Sequence, residues 1–236
     1  MGFNILKNGT LTKYIPEDGV TKVTIPEGVK VIGEGAFKGC TEIAEVIIPE
    51  WVDQISKDAF EGCSSLKRVE IRCRSRRAFC DYKGCTALEE VTYPEGYINT
   101  CINADQFIDT KLYKSFEGEY LTLGCMLLEY RGNDDAVRIP EGVKMIGEYC
   151  VSDKDMKTLF IPKSVEIVMT EAFYGCDSLV KVEFESEKVT LCSGAFTNCW
   201  GLKEIAAPTG LYGVESDSFE DCPNLDQRAI PGLLDI

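Results

Sequence analysis

The 236-residue chain contains no histidine. Without an imidazole it has no Ser-His-Asp triad, no Cys-His nucleophile pair, no His metal ligand and no side chain of that type to switch charge near neutral pH. It also lacks a long apolar run: nothing approaches the ~20 consecutive apolar residues that a helix needs to cross a bilayer. No secretory signal peptide is visible at its start, which favours a cytoplasmic product, with the cell surface or secretion as the alternative. Gly33-Glu34-Gly35 has neither the third glycine of a dinucleotide loop nor the lysine of a P-loop. Positive charge is scarce too, with 25 Lys and Arg against 39 Asp and Glu, a formal net charge of −14. Such a field repels nucleic-acid phosphates and anionic lipid, so neither nucleic-acid binding nor membrane insertion is expected.

What the chain does have is a repeat. Segments starting at Val23, Val46, Val69, Val91, Val137, Leu159, Val182 and Ile205 share one pattern, with starts spaced by 23, 23, 22, 46, 22, 23 and 23 residues. A period of this length marks a solenoid. At each junction the residues read Leu-x-x-Val-x-Ile, as in Leu66 to Ile71 and Leu179 to Phe184. This period of two puts one face of a short strand into a core. A proline follows in six of the eight copies, among them Pro26, Pro49, Pro162 and Pro208, and ends the strand because it has no N–H to donate. Next comes Ala-Phe-x-x-Cys-x-x-Leu, whose three-residue spacing predicts a short helix or 3-10 turn with Phe, Cys and Leu pointing inward. The inward ladder consists of Phe37, Phe60, Phe173, Phe196 and Phe219 with Cys40, Cys63, Cys85, Cys176, Cys199 and Cys222.

Leu-x-x-Val-x-Ile-Pro-x-x-Val followed by Ile-Gly-x-x-Ala-Phe-x-x-Cys resembles the BspA-like class of bacterial leucine-rich repeats. The likeness is closest in residues 25–33 and their near copy 139–147, and residues 8–14 resemble the cap segment found before the first repeat of that family. The resemblance implies a right-handed leucine-rich-repeat solenoid, an α/β repeat with short parallel strands on one face and short helical or 3-10 turns on the other. It also implies a role in adhesion or protein interaction. The expected organisation is a single solenoid over 1–236 made of two cassettes. The first covers 1–117, with a leader 1–22, repeats 23–98 and an irregular insertion 99–117. The second covers 118–236, with a leader 118–136, repeats 137–227 and a C-terminal end 228–236. Pro223 and Pro231 suit a closing terminal coil. In the coil beginning at Val137, Cys150 is read at the Phe position and Asp153 at the Cys position.

The ladder cysteines read as buried reduced thiols, because each stack holds three and pairing would strand one. Cys73, Cys80, Cys85 and Cys101 lack any Cys-x-x-Cys knuckle, so no metal is expected. Glutamates such as Glu27, Glu50, Glu95 and Glu141 recur after the proline and read as solvated turns. With each recurrent residue type given a structural role, neither catalysis nor a cofactor is expected.

Binding is expected on the outward strand positions. Ile47 and Phe160 are apolar residues at such positions, as an interface anchor would be. Arg68, Arg72, Arg74, Arg76 and Arg77 place five arginines within ten residues of an acidic protein. They either receive an acidic partner, a phosphate or a sulfated glycan, or pair with Asp81, Glu89 and Glu90 on adjacent coils. The expected partner is another protein. A carbohydrate bound by Phe160, Tyr93 and the arginines is the alternative.

Overall fold

The structure, a computed structural model, describes residues 2–185, 188–207 and 211–230. Pro208 and Pro231 lie outside the described residues. The chain forms two compact units, Met1–Glu117 and Gly118–Ile236, each a β-solenoid.

In the first unit, strands Lys22–Thr24, Glu45–Ile48, Arg68–Ile71 and Glu90–Thr92 form a parallel ladder. Val23, Val46, Val69 and Val91 stand in register on its inner face and are buried. The second unit repeats this with Ala136–Arg138, Thr158–Ile161, Lys181–Phe184 and Glu204–Ala206. Each branched apolar side chain meets its like one coil away, so the ladder buries a continuous apolar row that no single coil could bury alone.

Each unit also carries a second parallel ladder of two-residue strands. Val31–Ile32 and Gln54–Ile55 form it in the first unit; Met145–Ile146, Ile167–Val168 and Thr190–Leu191 form it in the second. A hairpin begins each one: Gly2–Ile5 with Thr10–Ile15, and Tyr120–Leu123 with Met126–Tyr130. The later strand of each hairpin starts the parallel run, Leu11 against Ile32 and Leu127 against Ile146. The hairpin also supplies the first rung of the aromatic ladder, since Tyr14 and Tyr130 donate backbone N–H groups to Ala36 and Cys150 as Phe37 does to Ala59.

The Ala-Phe-x-x-Cys segments are single turns closed by bonds such as Cys40 N–H to Phe37 O, not helices. Their brevity has a cause. The residue before the cysteine takes a positive φ at Gly39, Gly62, Gly84, Gly175, Asn198 and Asp221, between 54° and 75°. A left-handed residue ends a helical turn, and Gly, Asn and Asp are the types that tolerate it. Helical segments occur among the described residues only at Ala104–Phe107, Lys111–Lys114 and Gln227–Ala229.

The aromatic rings stack along each unit. Centroids are 5.0 Å apart for Tyr14–Phe37 and for Phe37–Phe60, 6.5 Å for Phe60–Tyr82, 4.9 Å for Phe173–Phe196 and 5.5 Å for Phe196–Phe219. Phe107 continues the first stack, 5.4 Å from Tyr82. The segment read as an irregular insertion therefore holds a further coil, with Gln106 at the alanine position and Thr110 at the cysteine position, both buried. One register reading is corrected. Val151 N–H donates to Ala172 O, as Phe173 N–H does to Ala195 O, so Val151 holds the Phe position, Cys150 the Ala position and Lys154 the Cys position. Gly147 aligns with Gly33, which sets this offset.

Five of the six ladder thiols reach the carbonyl of the rung before them. Sγ to O distances are 3.0 Å from Cys63 to Phe37, 3.1 Å from Cys85 to Phe60, 3.0 Å from Cys176 to Val151, 3.2 Å from Cys199 to Phe173 and 3.1 Å from Cys222 to Phe196. A small apolar side chain with one weak donor fits this position. All twelve cysteines are free thiols.

Candidate interaction surfaces

The outward face of each long-strand ladder has two rows of side chains. In the first unit the outer row is Lys22, Glu45, Arg68 and Glu90, alternating in sign, with ion pairs of 2.8 Å for Lys22–Glu45 and 2.6 Å for Arg68–Glu90. Lys22 holds the Glu45 carboxyl below its ordinary range. In the second unit Lys181 pairs with Glu183 at 2.9 Å and Glu204 at 3.1 Å. These exposed pairs add little stability and break readily.

The neighbouring row carries the apolar positions. It runs Thr24, Ile47, Glu70, Thr92 in the first unit and Arg138, Phe160, Glu183, Ala206 in the second. Ile47 and Phe160 thus occupy the same position of the second strand of each ladder, each with a glutamate one strand further on. Both are half-buried. The Arg138 guanidinium lies 4.6 Å above the Phe160 ring and pairs with Glu185 at 2.9 Å. Phe160 is therefore an aromatic partly covered by a cation, not an open platform. Tyr93 is no platform either: its ring stacks 6.0 Å from Tyr97, and burial pushes its phenol well above the ordinary value.

The arginines separate into two groups. Arg68 pairs with Glu90, and Arg72 Nε pairs with Glu70 at 2.7 Å. Glu89 is taken by Lys111 at 2.7 Å and Asp81 by Lys57 at 3.4 Å. Arg74, Arg76 and Arg77 are exposed, and among the described residues no carboxylate lies within 4.0 Å of them. Pairing with the adjacent coils thus accounts for Arg68 alone among the expected contacts.

A further surface carries no signal in the repeat itself. Trp200, 58% exposed, borders an open cleft of about 340 Å³ shared with Phe219, Glu220, Asp221, Cys222, Pro223 and Gln227. The clue in the sequence is an aromatic residue directly after the ladder cysteine, where other coils carry Thr41, Ser64, Thr86, Asp177 or Pro223.

Among the described residues the carboxylates with displaced pKa values, Glu45, Glu61, Glu70, Glu89 and Asp217, all move down, held by Lys22, Lys38, Arg72, Lys111 and the Ser193 hydroxyl. A general acid at neutral pH needs the opposite shift. Among the described residues no cluster of three or more His, Cys, Asp or Glu could hold a metal ion, and no helix is long and apolar enough to cross a membrane.

A family model described as a BspA type leucine rich repeat region matches residues 16–119 and 129–236, in six copies. No curated protein matches the chain. Among solved structures, the chain is 21% identical to a leucine rich cell surface protein of Faecalibacterium prausnitzii, covering 94% of this chain and 85% of that one at a TM-score of 0.42. It is 20% identical to a leucine rich repeat protein of T. pallidum, over 96% and 88% of the two chains at a TM-score of 0.33. A leucine-rich repeat protein of Bacteroides ovatus is 20% identical, over 95% and 79% at a TM-score of 0.33.

Proposed function

We propose that this chain, which belongs to the BspA-type leucine-rich-repeat family, is a non-catalytic scaffold that binds another protein through its outward strand faces. The observation that carries this reading is the repetition of one surface motif in both units, an apolar residue, Ile47 or Phe160, followed one strand on by Glu70 or Glu183. An apolar anchor inside a polar row is how an interface concentrates its binding energy, and the surrounding ion pairs cost little to exchange for a partner's groups. Crossovers between parallel strands wind right-handed in nearly all folds, and the scaffold is taken to have that hand. Twelve free thiols favour a reducing compartment over the cell surface.

Affinity capture with the intact chain, compared with an Ile47→Asp/Phe160→Asp variant of unchanged circular dichroism, tests the reading. Proteins held by the wild type should be lost from the variant. A set of captured proteins that both retain equally would sink it.

A carbohydrate reading draws on a different feature, the exposed Trp200 indole beside polar Glu220, Asp221 and Gln227, because an aromatic face with adjacent hydrogen-bonding groups suits an amphipathic ligand. Glycan-array binding that Trp200→Ala abolishes would favour it over the protein reading.

A further inference from the structure

The strand from Arg68 to Ile71 leads into a bend, residues 72–77, where arginines replace the usual proline turn. The backbone of this bend is fastened to the coil before it. Arg72 N–H donates to Ile48 O at 2.8 Å, Ser75 Oγ donates to Asp53 O at 2.5 Å, and Ile55 N–H donates to Arg77 O at 2.9 Å. Within the bend Arg77 N–H donates to Ser75 Oγ at 3.2 Å, and Cys73 is buried beneath. Of the three free guanidiniums, Arg74 alone is tethered, Nη2 donating to Glu95 O at 3.3 Å. A fixed backbone carrying unpaired cationic heads suits an anion-docking point, because the ordering left to lose on binding is confined to side chains.

We infer that this bend docks a short carboxylate-rich segment of a partner protein, with Arg74, Arg76 and Arg77 as its contacts. Guanidinium forks match carboxylate geometry bidentately. Charge complementarity selects the length as well as the sign. Asp53 and Glu95 bond to the bend through their backbone carbonyls, the charge of Glu50 reaches Arg72, and the chain carries a net charge of −14. A long polyanion such as a sulfated glycan would run from the three arginines into repulsion, while a short acidic stretch within a neutral segment meets only the favourable patch. The inference rests on the protein-binding reading but uses none of its strand-face residues.

The test is fluorescence anisotropy of a fluorescein-labelled peptide, a run of glutamates flanked by Gly-Ser, titrated with the full chain at about 50 mM salt so that screening stays weak. R74E/R76E/R77E should weaken binding at least about tenfold. K7E/K163E/K203E changes the net charge equally at exposed lysines outside the bend and should change binding by less than about threefold. R74Q/R76Q/R77Q repeats the test should the reversed variant not fold. Equal weakening by the bend and control variants would reduce the effect to net charge and overturn the inference, as would no saturable binding by the wild type. A heparin fragment that binds more tightly than the peptide, and is lost in the same variant, overturns it in favour of a glycan. The Ile47→Asp/Phe160→Asp variant should bind the peptide as the wild type does. If the peptide fails while strand-face capture succeeds, this inference falls alone.

Discussion

A cysteine in the ladder does two things that neither alanine nor serine does together. It fills a crowded interior position, and its thiol answers a backbone carbonyl of the neighbouring coil. Burial, then the charge of Cys63, raises the Cys40 pKa to about 11, and burial raises Cys80 to about 12. In the unfolded chain these thiols ionise near pH 8.5, so above that the unfolded state loses protons that the folded state keeps. Their contribution to stability is complete below about pH 8.5 and is lost as pH rises toward the folded values. Urea midpoints should therefore hold up to about pH 8 and fall between about pH 9 and 11; a midpoint that stays flat across that range would contradict the burial of these thiols. With a thiol reagent at neutral pH, exposed Cys101 should react first, half-buried Cys125 and Cys192 more slowly, and the nine buried thiols only on unfolding. For Phe196, fully buried between Phe173 and Phe219, truncation to alanine should cost about 3–5 kcal/mol by denaturant titration. A loss under about 1 kcal/mol would mean that the rung had repacked.

At the level of the element, the left-handed residue before each ladder cysteine decides what the coil can be. Gly84 has φ +71°, and a Cβ there would stand 3.2 Å from the Cα of Gly62. Gly84→Ala should therefore destabilise by about 1–2 kcal/mol, whereas Asn198→Gly, at φ 60°, should be neutral within about half a kcal/mol. Comparable losses from the two would show that the left-handed turn is not what the position selects. The strands, their proline bends and their inward rows were legible because each has a period that composition cannot imitate. Phe-x-x-Cys-x-x-Leu predicts a short helix or 3-10 turn, and the same spacing also fits a single turn. The discriminating residues, Gly39, Gly62, Gly84, Gly175, Asn198 and Asp221, lie in plain view one place before the cysteine. Two-residue strands such as Val31–Ile32 are too short to show any period, and Phe107 was hidden because Gln106 and Thr110 replace the residues that mark its coil. The arginine cluster was visible as charge. Its freedom was not, since whether Arg74, Arg76 and Arg77 find a carboxylate depends on which side chains the coil register brings beside them.

For the molecule, the ladders make stability a matter of neighbours. In the second unit each inner coil is bonded to the coils on either side, as in Lys181–Phe184 between Thr158–Ile161 and Glu204–Ala206, so opening such a coil breaks contacts only with those two. Amide hydrogen exchange should reflect this, with the slowest amides on the central rungs, such as Phe173 and Val182, and the fastest on the edge strands Ala136–Arg138 and Glu204–Ala206. Phe196→Ala sharpens the expectation. Its own N–H donates to Ser218 O at 2.8 Å, and the neighbouring Phe173 N–H donates to Ala195 O at 2.9 Å. Exchange should accelerate most at these two sites and at Cys199, less at Val151, and least at Tyr130 at the cap hairpin. A graded profile is what nearest-neighbour stacking requires. If protection instead fell by the same factor at every amide of the unit, the unit would open as one cooperative body, and the description of its stability as a sum of rung-to-rung contacts would have to be given up.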